Sequence, residues 1–172
     1  MEETTFPGRR ADPDGVEFPA VRVQVTAALE SLTDPRHQQQ VWVDKAPGPG
    51  DPVDDLTMVV NILDDARVLD DPEQTVGEVL QDEHEAAALR ELAEPLEVLI
   101  NMLGDAPDAT YIASLHWPAV VRAAQTAHKR MRHTDEQRSG IPSRSAQKWP
   151  WAPVRLPRHR GQGPTAKHGM PP

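Results

Sequence analysis

The sequence predicts an α+β domain, in which a small antiparallel sheet packs with about four helices between disordered termini. Two observations carry this prediction. Apolar residues recur at spacings of three and four near both ends of the body, which is typical of helices with one buried face. Between these stripes lie short runs rich in β-branched and aromatic residues, which favour strands. The order helix, strands, helices favours α+β over repeated βαβ units.

The first helix is predicted over 18–33. Pro19 fits the first helical position, where its missing N–H costs nothing. The chain should leave this helix before "DPR" at 34–36, because Pro disfavours helix in the residue before it. The stripe that would form the buried face is Phe18, Val21, Val25, Ala28, Leu29 and Leu32.

Three strands are expected next. "VWVD" at 41–44 is short and β-branched, and we expect Trp42 to face the core. "LTMVVNILDD" at 56–65 carries apolar residues on both faces of a strand, so it should be central in the sheet. After a turn, "RVL" at 67–69 would return as a short antiparallel strand.

The second half of the body is predicted to be helical. Asp82 and Glu85 form an Asp version of the capping box before a long apolar stripe, and Gly104 provides the stop. Pro95 inside this stripe predicts a kink or a break. A last helix begins at Pro118.

Charge divides the chain. Residues 1–128 have a net charge of −17, whereas residues 129–172 carry +8. We therefore predict a flexible N-terminal segment at 1–16, a single compact acidic domain at 17–133 and a basic, Pro-rich, disordered tail at 134–172.

Composition excludes several classes of function. Cysteine is absent, which excludes disulfides, thiolate metal sites and a cysteine nucleophile, and indicates a cytoplasmic protein. No apolar run approaches the ~18 residues of a membrane span, and none follows a basic start as in a signal peptide. No membrane association is expected.

The segment 41–124 resembles a family of conserved actinobacterial proteins of unknown function. The resemblance rests on "VWVD", "NILDDARVLDDP", "VGEVL", "LGDAPDATYIAS" and "WPAVVRAA", which occur in this order. It covers about half of the chain and implies one compact domain. It implies no activity and no catalytic residue.

Acidic pairs are the main candidate site residues, namely Asp54, Asp55, Asp64 and Asp65. At the two ends of one strand the pairs would lie 8 residues of ~3.3 Å apart, too far to share a metal ion. The seven histidines have no metal-binding spacing, and neither a nucleophile elbow nor a phosphate-binding loop occurs. We therefore expect no catalytic residue, no metal and no cofactor.

The sequence favours a non-enzymatic acidic domain that binds a basic protein, as a toxin-neutralising immunity protein or antitoxin would. The four aspartates are its candidate contacts. Nucleic acid is not the expected partner, because the acidic body repels a polyanion. A small enzyme with an unrecognised active site is the alternative, and a deep pocket with convergent polar groups would favour it.

Overall fold

The computed structural model describes residues 15–139, and over this range the protein is all-α. The described residues contain no strand and no sheet, and their one extended pairing is an isolated bridge between Val76 and Leu80. The elements are, in chain order, α1 (Pro19–Thr33), α2 (Pro35–His37), a π-helical segment (Gln38–Val43), α3 (Leu56–Asp65), a 3₁₀ turn (Pro72–Thr75), α4 (Glu83–Leu103), α5 (Asp108–Ile112) and α6 (Trp117–Ser139).

The predicted α+β class with a small antiparallel sheet is therefore wrong. The run predicted as a central strand is α3, where Leu56, Val59 and Leu63 are buried and lie on one face of a helix. The Asp55 carboxylate accepts a hydrogen bond from the Met58 N–H and caps the first turn of α3. Burial of this face outweighs the modest β preference of the branched side chains at the other positions.

The other two predicted strands are a helical segment and a turn. Residues 41–43 complete the π-helical segment, where Trp42 is buried as expected. Residues 67–69 lie in the turn that follows the C-terminal end of α3. There the Arg67 N–H donates to the Asp64 carbonyl and the Val68 N–H donates to the Leu63 carbonyl. This pattern is a Schellman motif, and Arg67 adopts the left-handed conformation (φ 59°) that usually favours glycine.

Helices α1, α4 and α6 form the main body, and α3 packs on α1. Arg22 near the start of α1 contacts Glu85 at the start of α4 and Asp135 near the end of α6. Helix α6 therefore runs antiparallel to both α1 and α4. The largest buried apolar side chains in this core are Leu29, Leu32, Trp42, Leu63, Leu80, Leu89, Leu92, Leu96, Leu99 and Met131.

A buried network of three charged residues connects α1, α4 and α6. The Arg22 guanidinium donates to both oxygens of Glu85 at 2.8 Å, and its Nε donates to Asp135 at 3.0 Å. It also donates to the carbonyls of Val79 and Met131, so all five of its N–H groups have acceptors. Complete satisfaction of a buried charge explains why it is tolerated at this position.

Two helix ends agree with their predictions and one boundary differs. Asp82 accepts from the His84 and Glu85 N–H groups, and α4 continues through Pro95 without a break. Gly104 caps its C-terminal end. Helix α6 extends to Ser139, so the predicted domain boundary after His133 falls inside it. Residues 1–14 and 140–172, where flexible or disordered ends are predicted, lie outside the described residues. None of the described helices is long and apolar enough to cross a membrane.

Candidate functional site

The candidate site lies where α1 ends and the chain turns into α2. Asp34 has an extended backbone, and its carboxylate accepts hydrogen bonds from the N–H groups of Arg36 and His37. Pro35 occupies the first helical position, as a helix start allows. The "DPR" sequence thus ends one helix and caps the next, and this places His37 close to the end of α1.

The Gln38 side chain connects the π-helical segment to α1 and α6 through hydrogen bonds. Its side-chain amide donates to the carbonyls of Ser31 (3.0 Å) and Leu32 (2.9 Å), which α1 leaves without partners at its C-terminal end. Its amide oxygen accepts from the indole N–H of Trp117 at 3.2 Å. Gln38 is fully buried, so these bonds satisfy a polar group within the core.

Asp54 is the centre of a buried hydrogen-bond cluster. Its Oδ1 accepts from the Trp42 indole N–H at 2.8 Å and lies 2.5 Å from His37 Nε2. Its Oδ2 accepts from the Ser31 hydroxyl at 2.6 Å. The Trp42 ring also meets the rings of His37 and Trp117 edge to face, at 6.1 and 6.3 Å between centroids. We call Ser31, His37, Trp42 and Asp54 the Asp54 cluster.

The pKa values within the cluster favour an ion pair. Burial disfavours the charged imidazolium, but the hydrogen bond and charge of Asp54, together with Asp34 and Asp51, raise the pKa of His37 above its usual value. Burial also opposes the Asp54 carboxylate, yet its bonds from His37, Ser31 and Trp42 lower its pKa. Asp54 is therefore ionised and His37 is protonated in mildly acidic solution.

An acidic cleft opens beside the cluster. Its volume is about 230 Å³. The C-terminal end of α1, which carries the negative end of the helix dipole, adds to its negative potential. The side chains that line it are Glu30, Ser31, Asp34, Arg36, His37, Gln40, Asp51 and Pro52. We call this the acidic cleft.

Asp51, which lines the acidic cleft, holds a tight loop at residues 48–51. The Asp51 carboxylate accepts from the Gly48 N–H at 2.7 Å and faces the side-chain amide of Gln40 at 3.4 Å. A Cβ on Gly48 would come within 2.7 Å of the same carboxylate oxygen. Glycine therefore permits the close approach of the Asp51 carboxylate to this turn, and Asp51 lines the acidic cleft together with Asp34.

The order of Ser, Asp and His in the cluster determines what chemistry is available. In a nucleophilic triad the histidine lies between the serine and the aspartate and takes the serine proton. Here Asp54 lies between Ser31 and His37, and the Ser31 hydroxyl donates to a carboxylate. This arrangement stabilises the fold of the cleft and does not activate Ser31 as a nucleophile.

The structure separates the four aspartates predicted as partner contacts. Asp54 is the cluster centre, with a side chain only 11% exposed, and Asp55 caps α3. Asp64 and Asp65 are exposed at the other end of α3, about 15 Å away along a ten-residue helix. Neither makes a side-chain hydrogen bond or ion pair with another described residue.

Sequence reasoning missed the other parts of the site. Ser31 and His37 are 23 and 17 residues from Asp54, and no local motif links such positions. The one available signal was Asp34 before Pro35, which is an N-cap followed by a favourable first helical residue. Within residues 15–139, no group of three or more His, Asp or Glu side chains is arranged to hold a metal ion.

Fold and site together define a small acidic all-α domain with a buried aspartate cluster beside an open cleft. The chain belongs to the family described as "Domain of unknown function (DUF7945)", whose model matches residues 16–139. No curated protein and no solved structure matches the chain.

Proposed function

We propose that this chain is a non-enzymatic acidic protein-binding domain whose partner is a basic protein. An immunity or antitoxin role, in which the domain neutralises a cationic toxin, is its most concrete form. We further propose a cytoplasmic location, which the absence of cysteine supports. An actinobacterial origin is also part of the proposal, on the resemblance of segment 41–124.

The observation that carries the proposal is the concentration of acidic groups around one cleft. Residues 15–139 contain ten Lys and Arg against 23 Asp and Glu, a net charge of −13. Glu30, Asp34 and Asp51 line the acidic cleft, and Arg36 is the one fixed cation among its lining residues. The Glu30 side chain is exposed and its charge acts on the nearby His128, so its carboxylate is accessible to a partner.

The size of the cleft favours a side chain over a metabolite. Pockets for small molecules usually have volumes of about 300–1,000 Å³ and largely enclose the ligand. The acidic cleft has about 230 Å³ and mostly polar walls. An Arg or Lys side chain of a partner protein fits these properties, because its charged head would meet the carboxylates while its backbone stays outside.

Asp64 and Asp65 have a different role in this proposal. They lie at the C-terminal end of α3, where a carboxylate is opposed by the helix dipole at about 0.3–1 kcal/mol each. At ~15 Å from the start of α3 they cannot touch a side chain held near Asp54. They instead attract a cationic partner over a longer range, which raises the association rate at low salt.

Asp54 and Asp55 act indirectly, since neither lines the acidic cleft: both oxygens of Asp54 accept internal hydrogen bonds, and Asp55 caps α3. Asp54 positions His37 and Ser31 on the wall of the cleft. Asp55 begins α3 directly after the loop that carries Asp51. Both residues therefore hold the acidic cleft in shape and leave the direct contacts to Glu30, Asp34 and Asp51.

A defined probe tests the proposal. We would titrate the full chain with a labelled peptide containing three arginines separated by glycine and serine, and with its citrulline counterpart, a neutral isostere. The Glu30→Gln variant should bind the arginine peptide about two- to fivefold more weakly, as expected for a partly exposed ion pair. The matched control is Glu97→Gln, an exposed residue of α4 with the same change in charge. Equal loss in both variants, or equal binding of the citrulline peptide, would contradict a specific cleft.

The alternative function is a small enzyme, and one contact favours it. His37 lines the acidic cleft while its Nε2 bonds a buried carboxylate, as a general base often does. The raised pKa of His37 opposes this role, because a protonated imidazole cannot accept a proton. The His37→Gln variant distinguishes the two functions. If the unmodified chain converts a substrate and the variant does not, while the variant still binds the arginine peptide, the chain is an enzyme and the binding proposal is wrong.

A further inference from the structure

A second groove lies between α4 and the start of α6 and differs in character from the acidic cleft. It has a volume of about 320 Å³ and is lined by Glu94, Pro95, Val98, His116 and Ala119. We call it the α4/α6 groove. No residue of the Asp54 cluster contributes to it.

One exposed apolar side chain lines this groove and two more lie next to its lining residues. Val98 is 46% exposed, Met102 is 57% exposed, and Leu115 is 96% exposed. Val98 and Met102 are four residues apart on α4, so they lie side by side on its surface. Leu115 directly precedes His116 of the groove wall. Isolated exposed apolar residues are ordinary, but three beside one groove indicate a contact surface.

The charged side chains around the groove are acidic and favour a basic occupant. Glu91, Glu94 and Glu97 are exposed on the same helix as Val98. Two copies of the chain meeting through this face would bring these carboxylates together, which disfavours a symmetric dimer. A segment with apolar side chains flanked by cations fits the groove better.

The chain itself contains such a segment at 148–158, "KWPWAPVRLPR". It combines two tryptophans with three basic residues, and no acidic residue occurs anywhere in 140–172. Its three prolines restrict the backbone, so less conformational entropy is lost when the segment docks. Tryptophan and arginine are also the residues that most often dominate the energy of an interface.

The segment is long enough to reach the groove. Because α6 runs from the groove to Ser139, the distance from Ala119 to Ser139 along the helix is about 30 Å for 20 residues. The 13 residues from Ser139 to Ala152 span up to ~43 Å when extended. Trp149, ten residues from Ser139, reaches at most ~36 Å, so an extended chain that turns back along α6 brings Trp149 just to the level of Ala119 and Trp151 somewhat beyond it.

We propose that segment 148–158 docks in the α4/α6 groove of its own molecule. Trp149 and Trp151 cover Val98, Met102 and Leu115, and the basic residues of the segment face the glutamates of α4. This inference is independent of the proposed function, because it concerns another surface and an intramolecular contact.

The absence of cysteine allows a direct test in the full chain. Ala119→Cys in the groove is combined with Ala152→Cys between the tryptophan pair and Arg155. The matched control combines Ala152→Cys with Ala20→Cys, an exposed position at the start of α1. Arg22 contacts Asp135, so Ala20 lies near the end of α6, where the tail begins. An undocked tail would consequently meet Ala20 at least as often as Ala119.

We expect the disulfide between positions 119 and 152 to form within one molecule about tenfold faster than that between 20 and 152, because docking raises the effective concentration. Replacing both Trp149 and Trp151 by Ser should remove this preference. Leu115→Cys, at an almost fully exposed side chain, serves as a second groove position if Ala119→Cys disturbs folding. Equal rates at the two positions, or a rate unaffected by loss of the tryptophans, would overturn the proposal. A product formed only between two molecules would overturn it too and assign the groove to a second copy.

Discussion

The Asp54 cluster makes the Asp54→Asn substitution informative, because asparagine keeps the shape of the side chain and removes its charge. The carboxylate accepts three hydrogen bonds, from His37, Trp42 and Ser31. Asparagine can still accept through one oxygen, so the main loss is the charge opposite protonated His37. Both side chains are about one-tenth exposed. A hydrogen bond between such groups contributes about 1.5–3 kcal/mol, so we expect a loss of about 2 kcal/mol in the free energy of unfolding.

The size of this loss should depend on pH, and the pKa directions give the sign. The pKa of His37 is raised above its usual 6.5, so its contribution is complete below that value and disappears as pH rises through the folded-state pKa. The pKa of Asp54 is lowered below its usual 3.8, so its contribution is present above that value and disappears as pH falls through the folded-state pKa. The pair therefore stabilises the fold most between these two usual values.

Urea unfolding followed by circular dichroism measures the effect. The Asp54→Asn variant should lose about 2 kcal/mol near pH 5.5, and the loss should become smaller toward pH 9 as His37 of the unmodified protein gives up its proton. Asp64→Asn, at an exposed position, is the control and should change stability by less than about 1 kcal/mol at either pH. An equal loss at both pH values would refute the ion pair, and a loss below ~0.5 kcal/mol would refute the buried cluster.

Three further variants test other parts of the structure by the same unfolding measurement, and the last of them also by peptide association. Arg67→Gly should stabilise the protein by up to about 1 kcal/mol, because glycine adopts the left-handed conformation without strain, and a destabilised variant would contradict the Schellman motif. Glu85→Gln should cost about 3–5 kcal/mol by leaving Arg22 buried without a full counter-charge, whereas a neutral result would mean that water reaches the pair. The double variant Asp64→Asn/Asp65→Asn should gain about 0.6–2 kcal/mol in stability and should associate more slowly with an arginine peptide at low salt, and unchanged association would show that these residues do not attract the partner.

The helical parts of the fold could be predicted because their apolar stripes are long. Helix α1 and the N-terminal cap of α4 follow directly from the sequence, and so does the glycine that ends α4. The strand predicted at 56–65 is wrong because five of six consecutive positions at 58–63 are apolar, a pattern that fits both a strand and a buried helix. Its length of ten residues and its Asp55 cap were the signals that favour a helix.

The candidate site could be predicted only in part. The excess of acidic residues at 51–55 is visible in the sequence, and the acidic cleft contains Asp51. The sequence does not show that Asp54 is buried in a hydrogen-bond cluster while the adjacent Asp55 caps α3. The two residues are identical, and only the backbone conformation of the loop decides which of them points inward. The π-helical segment that brings Trp42 and His37 to Asp54 has no sequence signature of its own.

The central claim, that the acidic cleft binds a cationic side chain, is tested most directly by NMR of the full chain during titration with the arginine peptide. The indole N–H of Trp42 donates to Asp54 and reports on the cluster beside the cleft. We predict that its signal and the amide signals of Glu30, Asp34 and Asp51 shift together and saturate. The citrulline peptide should leave them in place. Shifts confined to the exposed glutamates of α4, or none with the arginine peptide, would contradict the claim.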